Sequence, residues 1–218
     1  MPPSTVTTAP GRQRFSDDEL LDAALGLFHA RGYHVLQMND LAVAANTSKP
    51  TLYARLGSKE EIYIRVLERE AGLLQSALYA EYARASNAPL GEVVEIAMLA
   101  FFRFAQARRA GFDLLFRSEP GGPGHGIGER SMDEVIDHVA QLIDTYIVRS
   151  GHQPGSRTPL LAAAGVGAAR QVCQYALDTG DDLDKAGALV TAFAAAAIRL
   201  IDAEMLPELD VRRDDAGE

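Results

Sequence analysis

Apolar residues recur every three or four positions along most of the chain, a spacing that predicts amphipathic α-helices rather than strands. The first part of the chain gives four such helices, at about 16–31, 38–45, 49–56 and 59–84. Five more follow, at about 90–109, 112–117, 132–148, 160–177 and 183–206. The pattern therefore predicts an all-α protein.

Several of these helices begin with a recognisable polar motif. The segments Ser16–Glu19 and Ser58–Glu61 have the Ser-x-x-Glu spacing of a capping box, in which the serine and the glutamate satisfy each other's backbone N–H groups. Thr47 or Ser48 can cap the third helix, and Pro50 fits its first turn, where a missing N–H is not needed. The starts of the first, third and fourth helices are thus predicted by local signals.

The chain has only three lysines, Lys49, Lys59 and Lys185. The first two fall at consecutive helix starts. A lysine in this position opposes the helix dipole, so it does not stabilise its own helix. Backbone N–H groups and an ammonium at a helix start are suited to a phosphate. Taken singly, each lysine is better explained as a solvated surface residue. Together, with Tyr53 between them, Lys49 and Lys59 favour a contact with a nucleic-acid backbone.

The segment Thr47–Tyr53, followed by Ser58–Glu61, resembles the helix-turn-helix of the TetR family of bacterial transcriptional regulators. The resemblance runs from Phe15 to about Leu74, roughly the first third of the chain. Asn46 stands where the family usually has glycine, a mild departure because asparagine tolerates positive φ. The resemblance implies an N-terminal three-helix DNA-binding domain followed by a larger helical domain for effector binding and dimerisation.

The resemblance also assigns the DNA contacts. Lys49, Pro50 and Tyr53 are expected on the face that enters the major groove, with Lys49 donating to guanine and Pro50 lying against a thymine methyl group. Tyr53 and Lys59 are expected to grip phosphates, and Arg55 to reach a phosphate or extend into solvent. The full predicted set is Thr47, Ser48, Lys49, Pro50, Thr51, Tyr53, Arg55 and Lys59.

Composition and charge divide the chain in the same way. Residues 1–14, rich in Pro, Ser and Thr, read as a flexible arm, residues 15–60 as the helix-turn-helix domain and residues 61–218 as the helical regulatory domain. The net charge is −9, of which residues 1–70 contribute −1 and residues 71–218 contribute −8. The acidic charge is therefore expected mainly away from the DNA-binding surface.

Other classes of protein find little support in the sequence. No nucleophile–base set, metal-ligand cluster or pair of carboxylates has a useful spacing, so neither an enzyme nor a cofactor is predicted. The single cysteine, Cys173, fits a reducing compartment. No segment reaches the ~18 apolar residues of a membrane span, and the start at Met1 lacks a signal peptide. We therefore expect a cytoplasmic protein.

Aromatic residues are concentrated in one part of the predicted regulatory domain. Five of the eight phenylalanines lie between positions 101 and 116. Such a cluster is either the densest piece of core or the wall of an apolar cavity. The residues predicted to contact an effector are Met98, Phe101, Phe102, Phe104, Phe116, Ile136, Tyr146, Gln174 and Tyr175.

The last two helices are rich in alanine, which lets helix axes approach closely. This pattern is consistent with packing inside one chain, or with a four-helix bundle made by two helices from each of two subunits. We favour the dimer because one helix-turn-helix reads only half of a site. The predicted interface residues are Leu161, Ala164, Ala168, Val190, Ala194, Ala197 and Ile201.

These observations lead to one predicted function. The protein is expected to be a homodimeric repressor that binds a pseudo-palindromic, double-stranded operator and is released by a small apolar or amphipathic effector. The alternatives are a helical small-molecule-binding protein or enzyme with an incidental helix-turn-helix, and a DNA-binding activator without a ligand response.

Overall fold

The computed structural model describes residues 15–117, 121–151 and 153–200, with side chains to 197, and all regular structure in this part of the chain is helical. The helices are α1 (Asp17–Arg31), α2 (Met38–Ala44), α3 (Lys49–Leu56), α4 (Lys59–Arg84), α5 (Leu90–Ala107), α6 (Arg109–Phe116), α7 (Ile127–Arg149), α8 (Thr158–Thr179) and α9 (Leu183–Leu200). The predicted all-α fold is confirmed. The predicted arm, residues 1–14, lies outside the described residues.

The start of α7 differs most from the sequence prediction. The helix begins at Ile127, five residues earlier than the predicted Met132, directly after Gly126 in the left-handed conformation (φ 82°). The glycine-rich stretch therefore ends sooner than its composition suggested. Within α7, Gly128 packs against the backbone of α6, since a Cβ atom there would lie 2.3 Å from the carbonyl oxygen of Leu115. Any side chain at position 128 would clash with the backbone of α6, so the close packing of α7 on α6 requires glycine there.

The chain divides into two units, Met1–Val66 and Leu67–Glu218, and the division falls within α4. The first unit thus extends six residues beyond the predicted domain end at residue 60. The first turns of α4 help to form its core. Phe28 of α1 is fully buried and meets the ring of Tyr63 edge-on at 4.9 Å, while Val66 is also fully buried.

The phenylalanine cluster forms the core of the second unit. Phe101, Phe102, Phe104 and Phe112 are all less than 9% exposed. The rings of Phe101 and Phe112 meet edge-on at 5.6 Å, and those of Phe112 and Phe116 lie 4.8 Å apart. Of the two predicted roles for this cluster, the structure therefore shows the core.

A carboxylate is buried in the same unit. Glu70 of α4 is 0% exposed and accepts two hydrogen bonds of 2.6 Å from Arg108, one from Nε and one from Nη2. Arg69 Nη2 lies 3.4 Å from the same carboxylate. Arg108 reaches Glu70 from the break between α5 and α6, where its φ of −124° and ψ of 45° interrupt the helix. This bidentate pair ties α4 to the α5–α6 junction.

Candidate functional site

Helix α3 buries one side and exposes the other. Leu52 and Leu56 are each 2% exposed, whereas Lys49 and Pro50 are exposed and Tyr53 is 54% exposed. A half-exposed tyrosine ring beside an exposed lysine is an unusual feature of a protein surface. The arrangement offers a compact mixture of apolar rings and positive charge on the exposed side of α3.

The start of α3 is fixed by Ser48, one of the two residues that the sequence offered as its cap. Its Oγ accepts a hydrogen bond from the Thr51 backbone N–H at 3.3 Å and lies 2.8 Å from Thr51 Oγ1. The preceding turn contains Asn46 with φ of 45°, the left-handed conformation expected from the sequence. These contacts fix where the helix begins, and Lys49 consequently occupies its first position.

Lys59 has an internal role that the sequence analysis missed. Its Nζ donates to the carbonyl oxygens of Tyr33 at 3.0 Å and Leu36 at 2.9 Å, and lies 4.2 Å from the centre of the Tyr33 ring. An ammonium has three N–H donors, so two carbonyl contacts leave one donor for an external anion. Lys59 thus ties the α1–α2 connection to α4, and its predicted phosphate contact stays a prediction.

The guanidinium group of Arg55 is held by contacts within the first unit. Its Nε and Nη2 donate to Asp17 Oδ1 at 2.9 Å and 2.5 Å, and its Nη1 donates to the Phe15 carbonyl at 2.6 Å. Arg65 supports the same junction by donating to the Arg55 carbonyl at 3.0 Å. Arg55 therefore fixes α3 against the start of α1, which gives it a structural role that the sequence did not suggest.

The second unit contains an apolar pocket of about 150 Å³ between α4, α5, α7, α8 and α9. Among the described residues, its lining includes no charged side chain, and its polar side-chain atoms are the hydroxyls of Tyr82 and Tyr146. Burial raises the pKa of Tyr82, so this phenol remains neutral at physiological pH. The lining residues are Tyr82, Leu90, Val93, Val94, Ala97, Met98, Val139, Leu142, Ile143, Tyr146, Ile147, Leu161, Ala162, Ala164, Gly165, Val166, Ala168, Val190, Phe193, Ala194 and Ala197.

Comparison with known proteins identifies the first unit. The sequence model described as "Bacterial regulatory proteins, tetR family" matches residues 20–66. The transcriptional activator FasR of Mycolicibacterium smegmatis is 35% identical over 101 residues, 46% of this chain and 45% of FasR. The transcriptional repressor BdcR of Escherichia coli is 32% identical over 99 residues, 44% of this chain and 49% of BdcR. The chain thus spans less than half the length of the curated relatives it matches.

Solved structures extend the likeness to most of the chain. A TetR-like transcriptional regulator from Rhodococcus sp. RHA1 is 27% identical with a TM-score of 0.66, over 84% of this chain and 95% of that one. The first unit thus matches the TetR family in sequence. The fatty acid degradation regulator FadR from Bacillus halodurans has the same fold, with a TM-score of 0.70 at 17% identity over 83% of this chain and 98% of FadR.

All eight predicted DNA-contacting residues lie inside the segment that matches the TetR-family model. Lys49, Pro50 and Tyr53 are exposed together on α3, in the arrangement that the resemblance implied. Thr47, Ser48 and Thr51 are half-buried, and the Ser48–Thr51 pair is engaged in capping. The exposed side of α3 with Lys49, Pro50 and Tyr53 is hereafter called the recognition face.

The predicted effector residues are divided between the pocket and other places. Met98 and Tyr146 line the pocket. Phe101, Phe102 and Phe104 are buried in the core, Phe116 packs against it, and Ile136, Gln174 and Tyr175 also lie outside the pocket lining. The large aromatic residues fill the interior, and small residues leave the space open. The alanine and glycine runs of α8 and α9 were therefore the better signal for a cavity.

Most of the predicted interface residues line the pocket. Leu161, Ala164, Ala168, Val190, Ala194 and Ala197 all belong to its lining, and Ile201 lies outside the described residues. Val190 and Ala194 are only 3% and 9% exposed, because they face the interior of their own subunit. Their place in the pocket lining leaves the predicted interface a prediction. Among the described residues of α8 and α9, the large apolar side chains that are exposed are Leu160, Tyr175, Leu189 and Phe193, at 63–69%.

The described part of the chain shows neither a membrane-spanning helix nor a cluster of metal ligands. None of its helices combines the length and apolar character that a membrane span requires, and no three His, Cys, Asp or Glu residues are grouped to hold a metal ion. Cys173 is fully buried, and this burial raises the pKa of its thiol to about 12. The thiol is therefore protonated and sheltered, which is the state of an unreactive core cysteine.

Proposed function

We propose that the protein is a dimeric transcriptional repressor that binds a pseudo-palindromic operator through its recognition face and is released when an apolar effector occupies the pocket. Regulation of transcription is the activity named for the TetR-type relatives. Since bacterial operator DNA lies in the cytoplasm, we expect the protein there. The proposal rests on the recognition face of the first unit and on the pocket of the second.

The observation that carries the proposal is the exposure of Lys49, Pro50 and Tyr53 on one side of α3 while Leu52 and Leu56 are buried. Lysine can donate to guanine in the major groove, and an apolar ring can contact the methyl group of thymine. Tyrosine adds a hydroxyl that can donate to a phosphate. A helix with this face can therefore supply both base contacts and backbone contacts.

Dimerisation follows from what one recognition helix can read. A single helix-turn-helix contacts one half-site, whereas a two-fold dimer places two such helices about 34–36 Å apart or a multiple of this distance. The operator is then expected to be a pseudo-palindrome. Exposed Leu189 and Phe193 on α9 supply apolar surface of the kind that such a dimer would cover.

The pocket supplies the expected regulatory site. Its apolar lining favours a ligand that buries hydrocarbon and makes at most a few hydrogen bonds, such as those available from Tyr82 and Tyr146. An effector lowers DNA affinity only if it binds the DNA-free conformation better than the DNA-bound one. Coupling of this kind is typically worth ~1–3 kcal/mol, or about 5–150-fold in affinity.

The central experiment selects bound duplexes from a random pool and then compares variants on the selected and on random DNA. Lys49→Ala should weaken binding to the selected duplex by about 1–3 kcal/mol and reduce its preference over random DNA. Lys185→Ala is the matched control, because Lys185 is an exposed lysine of the second unit whose side chain is 86% exposed. It should leave both affinities unchanged.

Failure to enrich any duplex at low salt would contradict the proposal, as would equal loss of specific and random binding in Lys49→Ala. The sign of regulation is tested by a reporter with the selected site between promoter and start of transcription. Lower expression in the presence of the protein supports a repressor. Higher expression would instead support an activator, the role named for the relative FasR.

A further inference from the structure

Tyr82 is a buried polar residue beside the apolar pocket. It lines the pocket from α4 and is only 6% exposed. Within the described part of the chain its hydroxyl has no hydrogen-bond partner. Buried hydroxyls are nearly always paired, because an unpaired one loses water and gains nothing in return. An unpaired hydroxyl at the edge of a cavity indicates a partner that comes from outside the chain.

The ring that carries this hydroxyl is held by its neighbours. Its centre lies 5.3 Å from the ring of His138 and 6.4 Å from that of Tyr79. The hydroxyl of Tyr79 is already used, since it donates to the Glu134 carbonyl at 3.4 Å. The Tyr82 ring is thus positioned before a ligand arrives, so little conformational freedom is lost when its hydroxyl finds a partner.

The second tyrosine of the pocket, Tyr146, is placed differently. It is half-buried, so part of the residue is open to water. Water can therefore satisfy its hydroxyl without a ligand. Of the two hydroxyls in the lining, that of Tyr82 has the greater need of a partner. This contrast makes Tyr82 the better candidate for a polar anchor.

The surroundings of Tyr82 restrict the charge of that partner. Among the described residues the lining has no charged side chain, so an ionised group would be buried without compensation. Burial raises the pKa of Tyr82, so its oxygen keeps the proton that it donates. The matching group on a ligand is an uncharged oxygen acceptor.

The space in the pocket restricts the size of the ligand. Its volume is about 150 Å³. Apolar cavities of about this volume accept benzene, which is a single six-membered ring. Small residues of α8 and α9, such as Gly165 and Ala194, leave this space open. A compact molecule fits it, whereas a long acyl chain with a charged carrier does not.

We infer that Tyr82 is the polar anchor of the effector site, and that the effector is a compact, uncharged molecule with one oxygen acceptor, as in a ketone or an ester. The role of this molecule as effector rests on the proposed function, whereas its binding does not. A hydrocarbon of the same shape would leave the Tyr82 hydroxyl unpaired, so the site should discriminate against it.

The test compares cyclohexanone with methylenecyclohexane, which replaces the carbonyl oxygen by a CH₂ group, in calorimetric titrations of the full chain. The wild type should prefer cyclohexanone by about tenfold. Tyr82→Phe keeps the ring and removes the hydroxyl. It should weaken cyclohexanone binding about 3–10-fold and strengthen methylenecyclohexane binding, so that the preference disappears. A merely structural role of Tyr82 would move both affinities in the same direction, and that result would overturn the inference.

Matched variants locate the anchor. Tyr146→Phe makes the same change at the other pocket tyrosine, and Tyr175→Phe makes it at a tyrosine that is 63% exposed and outside the lining. Both should keep the preference for cyclohexanone, and its loss in Tyr146→Phe instead of Tyr82→Phe would overturn the assignment. Gly165→Leu should fill the pocket and abolish binding of both probes, since a Cβ atom there meets nothing within 4 Å. Unchanged binding in this variant would place the site elsewhere.

Cyclohexanecarboxylate tests the restriction on charge, because it has the same ring with an ionised group. It should bind at least about tenfold more weakly than cyclohexanone. Equal binding, or a wild type that does not bind cyclohexanone, would overturn the inference. These outcomes are independent of DNA: a chain that selects a duplex but ignores cyclohexanone rejects this inference alone. Tyr82-dependent binding without any change in duplex affinity rejects only the effector role.

Discussion

The two units begin their helices in different ways. In the first unit α1, α3 and α4 follow Ser16, Ser48 and Ser58, whose hydroxyls accept from a backbone N–H three residues later at 3.1, 3.3 and 3.2 Å. In the second unit α5, α6, α7 and α8 follow Pro89, Arg108, Gly126 and Arg157, and none of the four has a side-chain cap. Of the second unit's helices, α9 is the exception, because Asp182 Oδ1 accepts from the N–H groups of Asp184 at 3.0 Å and Lys185 at 3.2 Å. Local capping bonds therefore start three helices of the first unit, whereas the other four helices of the second unit start without one.

The units also use charge differently. The Arg55–Asp17 pair in the first unit is about one-third to one-half exposed and joins two helix segments at the surface. The Arg108–Glu70 pair in the second unit buries its carboxylate completely. Exposed pairs contribute little to stability, whereas a buried pair is costly to break because it leaves one charge without compensation. The largest mutational effect is therefore expected in the second unit.

Arg108→Met should lower the free energy of unfolding by about 3 kcal/mol, because Glu70 stays buried with only Arg69 nearby. Urea denaturation of the full chain measures the change. The control is Arg84→Met, which removes an arginine whose side chain is 72% exposed and whose partner is Glu81. It should change stability by less than about 1 kcal/mol. Equal effects of the two variants would remove the distinction between buried and exposed pairs.

The same carboxylate explains why position 111 is glycine. A Cβ atom on Gly111 would lie 2.2 Å from Glu70 Oε2, and that oxygen is held by Arg108. Gly111→Ala should therefore destabilise the wild type by roughly 1–3 kcal/mol. In a Glu70→Ala background the same change should cost much less, since the obstructing carboxylate is gone. Additive effects in this double-mutant cycle would argue against the contact.

The predictability of each feature follows from the range of the interactions that create it. Ser48, Asn46 and the Ser58–Glu61 box were predicted because each acts within three or four residues along the chain. The contacts of the Lys59 ammonium were not predicted, because Tyr33 and Leu36 lie 26 and 23 residues away along the chain. Its place at a helix start marked Lys59 as unusual, but only the fold shows which carbonyl groups surround its ammonium.

The pocket and the buried carboxylate were missed for related reasons. Hydrophobicity does not distinguish a residue that fills space from one that leaves it open, so the phenylalanines were included among the effector residues and the alanines of α8 and α9 were not. Glu70 had a visible signal, because it falls in phase with Val66, Leu67 and Leu74 on the buried side of α4. A charged residue at such a position indicates a buried partner, but its identity as Arg108 depends on the fold.

Lys59→Ala gives the next largest effect and tests the internal role of this side chain. Loss of its contacts leaves the carbonyl groups of Tyr33 and Leu36 without this donor, which should destabilise the first unit by about 1.5–3 kcal/mol. Lys49→Ala is the matched control, because Lys49 is exposed on the recognition face, and its removal should alter stability by less than about 0.5 kcal/mol. Hydrogen exchange of amides in α1 and α2 measures the difference.

Both lysine variants should weaken DNA binding, but in different ways. Lys49→Ala should lose sequence preference while the fold is unchanged. Lys59→Ala should lose affinity for all duplexes, with a shallower dependence on salt if its remaining N–H reaches a phosphate. An unchanged salt slope together with lower stability would assign Lys59 to the fold alone.

The smallest effect concerns the capping box at the start of α4. Ser58→Ala removes the acceptor for the Glu61 N–H and should lower the free energy of unfolding by about 1 kcal/mol. Arg157→Ala at the uncapped start of α8 should change it by less than about 0.5 kcal/mol.

The Ser58 backbone N–H, and then its hydroxyl, lower the pKa of Glu61. Because the folded-state pKa is the lower one, this stabilisation is present above the unfolded value of about 4.3 and is lost as pH falls through the folded value. Urea unfolding at pH 3–7 should show this loss in the wild type but not in Glu61→Gln, whose neutral amide keeps an acceptor oxygen without titrating; identical pH profiles would mean that the box does not favour the ionised form.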